Sequence, residues 1–271
     1  MGNILFTLNL GKSYSESITN YTYPLLKQYA FKLGADFYEI TERRFPEWPE
    51  TYEKLQIYQL AQELKCRWAV FLDCDALINP DMFNVLNIIP KDTVSHNGAD
   101  FAAVRWKYDR YFWRDGRNLG SATWFCIASE WCIELFKPLD DLTPEDVSNN
   151  IFPLTAELKS GMKPIRLVED YVMSRNIAKY GLKFLAIKDL FKKYELPEHY
   201  FVWHAYAVPF EQKLQMMRQR LLDWGLEPPN VEISCPNCSV KLVLEKFKVS
   251  EVKYACPECK HEWGPRFIGN Y

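Results

Sequence analysis

The stretch RWAVFLDCDALI at residues 67–78 decides the fold. It is too short and too rich in Val, Phe, Leu and Ile for a surface helix, and Asn79-Pro80 closes it, so it reads as one buried central strand. Asp73 and Asp75 flank Cys74 near its carboxyl end. Upstream, NILFTLNL at 3–10 is a second apolar run ended by Gly11, and YPLLKQYAFKLG has the spacing of an amphipathic helix. Then come ADFYEI at 35–40, a loop containing Pro, Arg and Trp, and TYEKLQIYQLAQELK, whose Leu55, Tyr58, Leu60 and Leu64 fit a helix. Downstream, ADFAAV at 99–104 and ATWFCIAS at 122–129 are strand candidates, and EWCIELFKPL at 130–139 is a helix. LVEDYVMSRNIAKYGLKF gives another helix, with Glu169 and Asp170 in its first turn and Gly181 at its end. Strands alternating with helices predict an α/β fold whose mixed, mostly parallel sheet is flanked by helices and binds ligands at its carboxyl edge.

The chain has 271 residues, enough for one substantial α/β domain and a small module. A composition of 48% hydrophobic and 15% aromatic residues excludes a disordered chain. With 33 Lys+Arg against 35 Asp+Glu, a uniformly basic nucleic-acid binder is excluded as well, although a local patch is not. One such patch is RWKYDRYFWRDGRNLG, in which Arg105, Arg110, Arg114 and Arg117 alternate with aromatic residues such as Trp113. Guanidinium groups grip phosphates and flat rings stack on bases, so this stretch suits a nucleic-acid contact. No run approaches the roughly 20 apolar residues of a membrane span, and the first residues lack a basic leader. A cytoplasmic protein is expected, in a cell or in an infected host cell.

Four of the eight cysteines form two tight pairs, Cys235/Cys238 and Cys256/Cys259, with 17 residues between the pairs. Four thiolates at this spacing suit one structural Zn²⁺, and the metal supplies folding energy that a segment this short cannot draw from its own core. The intervening segment alternates apolar and charged residues, as a hairpin between metal-binding turns should. Gly225, Pro228 and Pro229 mark a break, which predicts a catalytic domain over 1–224, a linker over 225–231 and a zinc ribbon over 232–271. The ribbon carries six basic and five acidic residues over 230–271, a balance that does not decide whether it touches nucleic acid.

Two neighbouring carboxylates at a strand end are costly unless a cation sits between them, and Mn²⁺ or Mg²⁺ suits oxygen ligands. At WAVFLDCDALINPD the chain resembles the nucleotide-sugar glycosyltransferases of GT-A fold, whose D-x-D motif ends a central strand and binds the metal that holds the donor diphosphate. The resemblance extends in order over residues 1–210. Its start, with Thr7, resembles the family's nucleotide-binding strand, and Asn118 and Gly120 resemble its N-x-G segment near the donor sugar. VEDYVMSRN resembles its second acidic motif, and His204 in FVWHAY resembles a late histidine that completes the metal site.

The resemblance implies metal ligation by Asp73, Asp75 and His204, and donor contacts from Thr7, Lys54, Tyr58, Asp73, Cys74, Asn118 and Gly120. It also implies a catalytic carboxylate from Asp170 or Glu169, of which Asp170 is favoured. The donor is expected to be a UDP-sugar. For the acceptor, the ribbon and the arginine-aromatic stretch (Arg105, Arg110, Trp113, Arg114, Arg117) suggest a hydroxymethylated pyrimidine in DNA, a base that would be flipped for reaction. Alternatives are a surface glycan, a lipopolysaccharide or a protein hydroxyl. Outside this class stand a metal-dependent phosphoryl-transfer enzyme or nuclease and a non-catalytic nucleotide-binding adaptor. Asp75→Ala is expected to abolish transfer and leave the fold intact, because it removes a ligand and no core volume.

Overall fold

A computed structural model describes residues 2–12, 16–98, 122–150, 165, 168–195, 201–205, 208–229, 232–234, 237–239, 241–243, 254–255 and 258–263. The strands are β1 (Asn3–Leu8), β2 (Ala35–Ile40), β3 (Trp68–Leu72), β4 (Leu77–Ile78), β5 (Thr93–His96), β6 (Trp124–Ala128), β7 (Lys183–Ala186) and β8 (Val202–Trp203). The helices are α1 (Glu16–Leu33), α2 (Ile57–Glu63), α3 (Ser129–Cys132), α4 (Pro144–Asn150), α5 (Val168–Tyr180), α6 (Ile187–Lys193) and α7 (Phe210–Asp223). A 3₁₀ segment, Glu50–Gln56, leads into α2.

Six strands form one sheet in the order β2-β1-β3-β6-β5-β7. The pairs β1–β2, β1–β3 and β5–β7 are parallel, and β6 runs antiparallel to both β3 and β5. Five strands therefore point one way and β6 the other, the mixed, mostly parallel α/β sheet that the alternation of elements predicts. β3 and β6 are buried along their whole length. Their side chains alternate between two cores, as a period of two requires. Ala69, Phe71, Phe125 and Ile127 face the core closed by Leu55, Ile57 and Leu60 and by Val172 and Met173 of α5. Trp68, Val70, Leu72, Trp124 and Cys126 face the other core, closed by Leu26, Tyr29 and Leu33 of α1 and by Leu190 and Phe191 of α6.

Residues 67–78 do not form a single strand. β3 ends at Leu72, and the chain turns through Asp73–Ala76, with Ala76 N–H donating to Asp73 C=O at 3.1 Å. It resumes as β4, which pairs antiparallel with β8 instead of joining the main sheet. Both pieces are buried and apolar, so hydrophobicity alone does not reveal the break. Three short elements, β5, β7 and α6, carry too little periodicity to be marked from sequence. The candidate strand 99–104 lies outside the described residues.

α7 ends at Asp223, just before the break marked by Gly225. Gly225 sits at φ 72°, and Leu226 N–H donates to Leu221 C=O at 2.9 Å, a closure that glycine accommodates without strain. Further on, two short antiparallel hairpins bracket the cysteine pairs: β9 (Glu232–Ser234) with β10 (Lys241–Val243), and β11 (Tyr254–Ala255) with β12 (Glu262–Trp263). In each, the residue after the second cysteine is left-handed, Ser239 at φ 57° and Lys260 at φ 56°. Asn237 Nδ2 lies 3.5 Å from Cys259 Sγ, across the two hairpins. Cys235 and Cys256 fall outside the described residues. Among the described residues, no helix is long and apolar enough to cross a membrane.

Candidate active site

The turn Asp73–Ala76 lies at the carboxyl end of β3, where the sheet's parallel strands also end. Asp73 N–H continues the ladder to Thr123 C=O at 2.9 Å, which fixes the start of the turn. Thr22 of α1 donates its hydroxyl to Cys74 C=O at 2.6 Å, which fixes the middle. The β4–β8 pairing brings in the third element. Leu77 lies opposite Trp203 and Ile78 opposite Val202, so the same register sets Ala76 opposite His204. His204, more than a hundred residues away in sequence, thereby meets the acidic turn. One ligand atom from each of Asp73, Asp75 and His204 lies within 4.8 Å of the others. Two carboxylates and an imidazole at this separation form a donor set that a divalent cation can share.

Two lysines approach the same carboxylates. Lys54, from the 3₁₀ segment, places Nζ 3.2 Å from Asp73 Oδ1 and 3.8 Å from Glu169 Oε1. It also lies 5.0 Å from the centre of the Phe71 ring. On the other side, Lys213 of α7 contacts Asp75 Oδ2, the oxygen that lies 3.2 Å from His204 Nε2. Each carboxylate of the pair thus has its own ammonium partner.

Burial and charge push these groups apart in acidity. Burial lifts Asp73 above the usual carboxylate range; Lys54 opposes this and the Asp75 charge adds to it. Burial acts on Asp75 in the same sense. There, however, the hydrogen bond and charge of His204, together with Lys213, outweigh it and hold the carboxyl below its ordinary value. Glu169 is pushed up to about 7, by burial first and by its neighbour Asp170 against the pull of Lys54. Burial would weaken the Lys54 ammonium, but Asp73, Glu169 and Asp170 together raise it above the ordinary lysine value.

The residues that sequence analysis singled out fall into three groups. Asp73, Asp75, His204, Lys54 and Glu169 converge on the turn, and Asp170 is buried beside Glu169 at the start of α5. Among the described residues, Thr7, Tyr58 and Cys74 make no hydrogen bond or ion pair with the carboxylates of the turn. Thr7 is fully buried and donates to Leu72 C=O at 2.7 Å, Tyr58 packs against the core, and the Cys74 thiol is buried, which holds it protonated. Asn118, Gly120 and the stretch containing Arg105, Arg110, Trp113, Arg114 and Arg117 lie outside the described residues. Lys213 was missed. It is one of three basic residues in an amphipathic helix, and only its position against Asp75 sets it apart. Glu53 was missed too, although it is fully buried immediately before Lys54 and binds the loop after β2.

No protein-family model matches this chain, and no curated protein matches it in sequence. Among solved structures, it is similar to a glycosyltransferase involved in the glycosylation of the major capsid of PBCV-1. The two align with a TM-score of 0.43 and 14% identity over 80% of this chain and 99% of that chain.

Proposed function

We propose that the chain is a metal-dependent glycosyltransferase of GT-A type that moves a sugar from a nucleotide-sugar donor, a UDP-sugar by preference, to a hydroxyl acceptor. The observation that carries this reading is the convergence of Asp73, Asp75 and His204 at the carboxyl end of β3, beside the buried Lys54–Glu169 pair. Their oxygen and imidazole donors suit Mn²⁺ or Mg²⁺, and these three residues would hold the ion. When bound, the ion supplies Lewis-acid neutralisation of the charge that develops on the departing diphosphate.

The protein's own groups supply the rest. Lys54 holds Asp73 and Glu169 in fixed relation and adds positive charge beside the leaving group. In the transfer, the bond from the anomeric carbon to phosphate oxygen breaks, and a bond from that carbon to the acceptor oxygen forms. The acceptor's proton passes to a carboxylate of the Glu169–Asp170 pair. Sequence favours Asp170 as this base; Glu169, pushed up to about 7, is the better tuned of the two for taking a proton at neutral pH.

The acceptor we propose is a hydroxymethylated pyrimidine in DNA, on the strength of the arginine-aromatic stretch over 105–117 and the C-terminal module. In that module we propose that Cys235, Cys238, Cys256 and Cys259 hold a structural Zn²⁺. The paired hairpins with matching left-handed residues, and the approach of Asn237 to Cys259, support two metal-binding turns facing one ion.

The test is a mass-spectrometric transfer assay with Mn²⁺ and a panel of nucleotide sugars. Two acceptors are offered: DNA containing 5-hydroxymethylcytosine or 5-hydroxymethyluracil, and a mixture of simple glycans. A hexose-sized gain on the modified DNA alone is expected. Donor turnover with a gain only on glycans would keep the transferase and replace the acceptor. No turnover of any donor would overturn the reading.

A further inference from the structure

We infer that Thr7 and Thr22 are positioning residues for the divalent ion: their hydroxyls hold the backbone of the acidic turn in the shape that lets Asp73 and Asp75 share an ion with His204. The inference rests on those three residues being the ion's ligands. The turn begins where two strands part. β1 and β3 run together only as far as Phe6 opposite Phe71, while β1 continues beside β2 to Leu8. Leu72 C=O, just past the end of that ladder, accepts the Thr7 hydroxyl at 2.7 Å. Two residues on, Cys74 C=O accepts the Thr22 hydroxyl at 2.6 Å. Thr22 also lies 3.4 Å from Ile18 C=O, the bond a helical threonine makes within its own helix, but a hydroxyl has one proton and the shorter contact holds it. Both side chains are fully buried.

The two hydroxyls come from one face of the sheet. By the alternation of β1, Thr7 shares the face of Leu5, and α1, which carries Thr22, covers that face with Leu26 and Tyr29. Lys54 reaches Asp73 from the opposite face, over the Phe71 ring. The carbonyls on either side of Asp73 are thus held from one face and its carboxylate from the other. With Asp73 C=O accepting from Ala76 N–H, each carbonyl from Leu72 to Cys74 has its donor. A turn fixed in this way needs no ordering when the ion arrives, and that ordering would otherwise be subtracted from the affinity. A group that orients a ligand residue without touching the metal is worth about tenfold to a hundredfold in metal affinity. Thr7 and Thr22 act in this manner, through the backbone of the turn.

The experiment is a titration of the full chain with Mn²⁺, read by the electron paramagnetic resonance of the free ion, with hydrogen exchange of the Ala76 amide followed beside it. Thr7→Val and Thr22→Val keep the outline of the side chain and remove the donor. Each is expected to bind Mn²⁺ about tenfold more weakly than the wild-type chain and to exchange the Ala76 amide faster. Thr7→Ser and Thr22→Ser, which keep the hydroxyl, should retain the wild-type affinity. Should a valine variant not fold, Thr7→Cys or Thr22→Cys, with a weaker donor, carries the test, and a smaller loss of affinity is expected. Donor-deficient variants that are less stable yet bind Mn²⁺ as the wild-type chain does would leave the threonines a structural role alone and overturn the inference. Asp75→Asn distinguishes that failure from a deeper one: if it too binds Mn²⁺ as the wild-type chain does, the ion-site reading itself falls, and this inference with it.

Discussion

Asp75 shows how far a residue's neighbours change the meaning of its substitution. As a metal ligand at a strand end, it was expected to be removable without harm to the fold. It is instead 4% exposed and holds both Lys213 and His204. Asp75→Ala takes the carboxylate away from a buried ammonium and from His204, so it should cost about 3–5 kcal/mol in urea unfolding in addition to abolishing transfer. Asp75→Ala combined with Lys213→Met should recover most of that stability and none of the transfer; a single variant as stable as the wild-type chain would contradict the pairing.

Glu169 gives a pH-dependent counterpart. Its carboxyl is raised from the ordinary 4.5 to about 7 in the folded chain, so between those values the folded state holds a proton that the unfolded state has lost. Stability should therefore fall as pH rises across that window and level off above it. Glu169→Gln removes this slope, and above pH 7 it should gain up to about 3 kcal/mol on the wild-type chain. Equal slopes in urea unfolding followed from pH 4.5 to 8 would show that Glu169 titrates normally.

At the scale of elements, the site depends on the 3₁₀ segment Glu50–Gln56, an unusually long run of that geometry. Glu53 anchors it. Its carboxylate accepts hydrogen bonds from the backbone N–H groups of Arg44 at 2.9 Å and Phe45 at 3.0 Å, and from Gln56 Nε2 at 2.6 Å. Arg43 Nε adds a fourth at 3.3 Å. The loop after β2 is thus tied to the residue immediately before Lys54. Glu53→Gln replaces an acceptor with a donor that faces other donors, so it should cost about 1–3 kcal/mol. With Lys54 displaced, kcat should fall between about tenfold and a hundredfold while Mn²⁺ affinity holds. Unchanged kcat would reduce Glu53 to a loop anchor.

For the whole molecule, the sheet with its two cores and the pair of C-terminal hairpins make separate demands on the chain. The hairpins hold only two or three residues per strand, and four thiolates on one Zn²⁺ would supply what so small a core lacks. Cys256→Ser should lose the zinc by native mass spectrometry and raise hydrogen exchange over 232–263, with β3 and β6 unchanged. Full protection of that segment in the metal-free variant would remove the metal from its folding.

Sequence alone determined the α/β class, the apolar runs at 3–10 and 67–78 that supply two strands of the main sheet, and the helix opened by Glu169 and Asp170 and ended by Gly181, because periodicity and punctuation are local properties. The two carboxylates at a strand end pointed to a cation, and the family resemblance at that motif singled out His204, Lys54 and Glu169 beside Asp73 and Asp75. Only the tertiary structure decided that β4 leaves the main sheet to pair with β8, that His204 meets Asp75 through that pairing, and that Lys213 and Glu53 belong to the site. These relations are set by contacts between distant segments, and a lysine on a helix carries no local sign of the carboxylate it will meet.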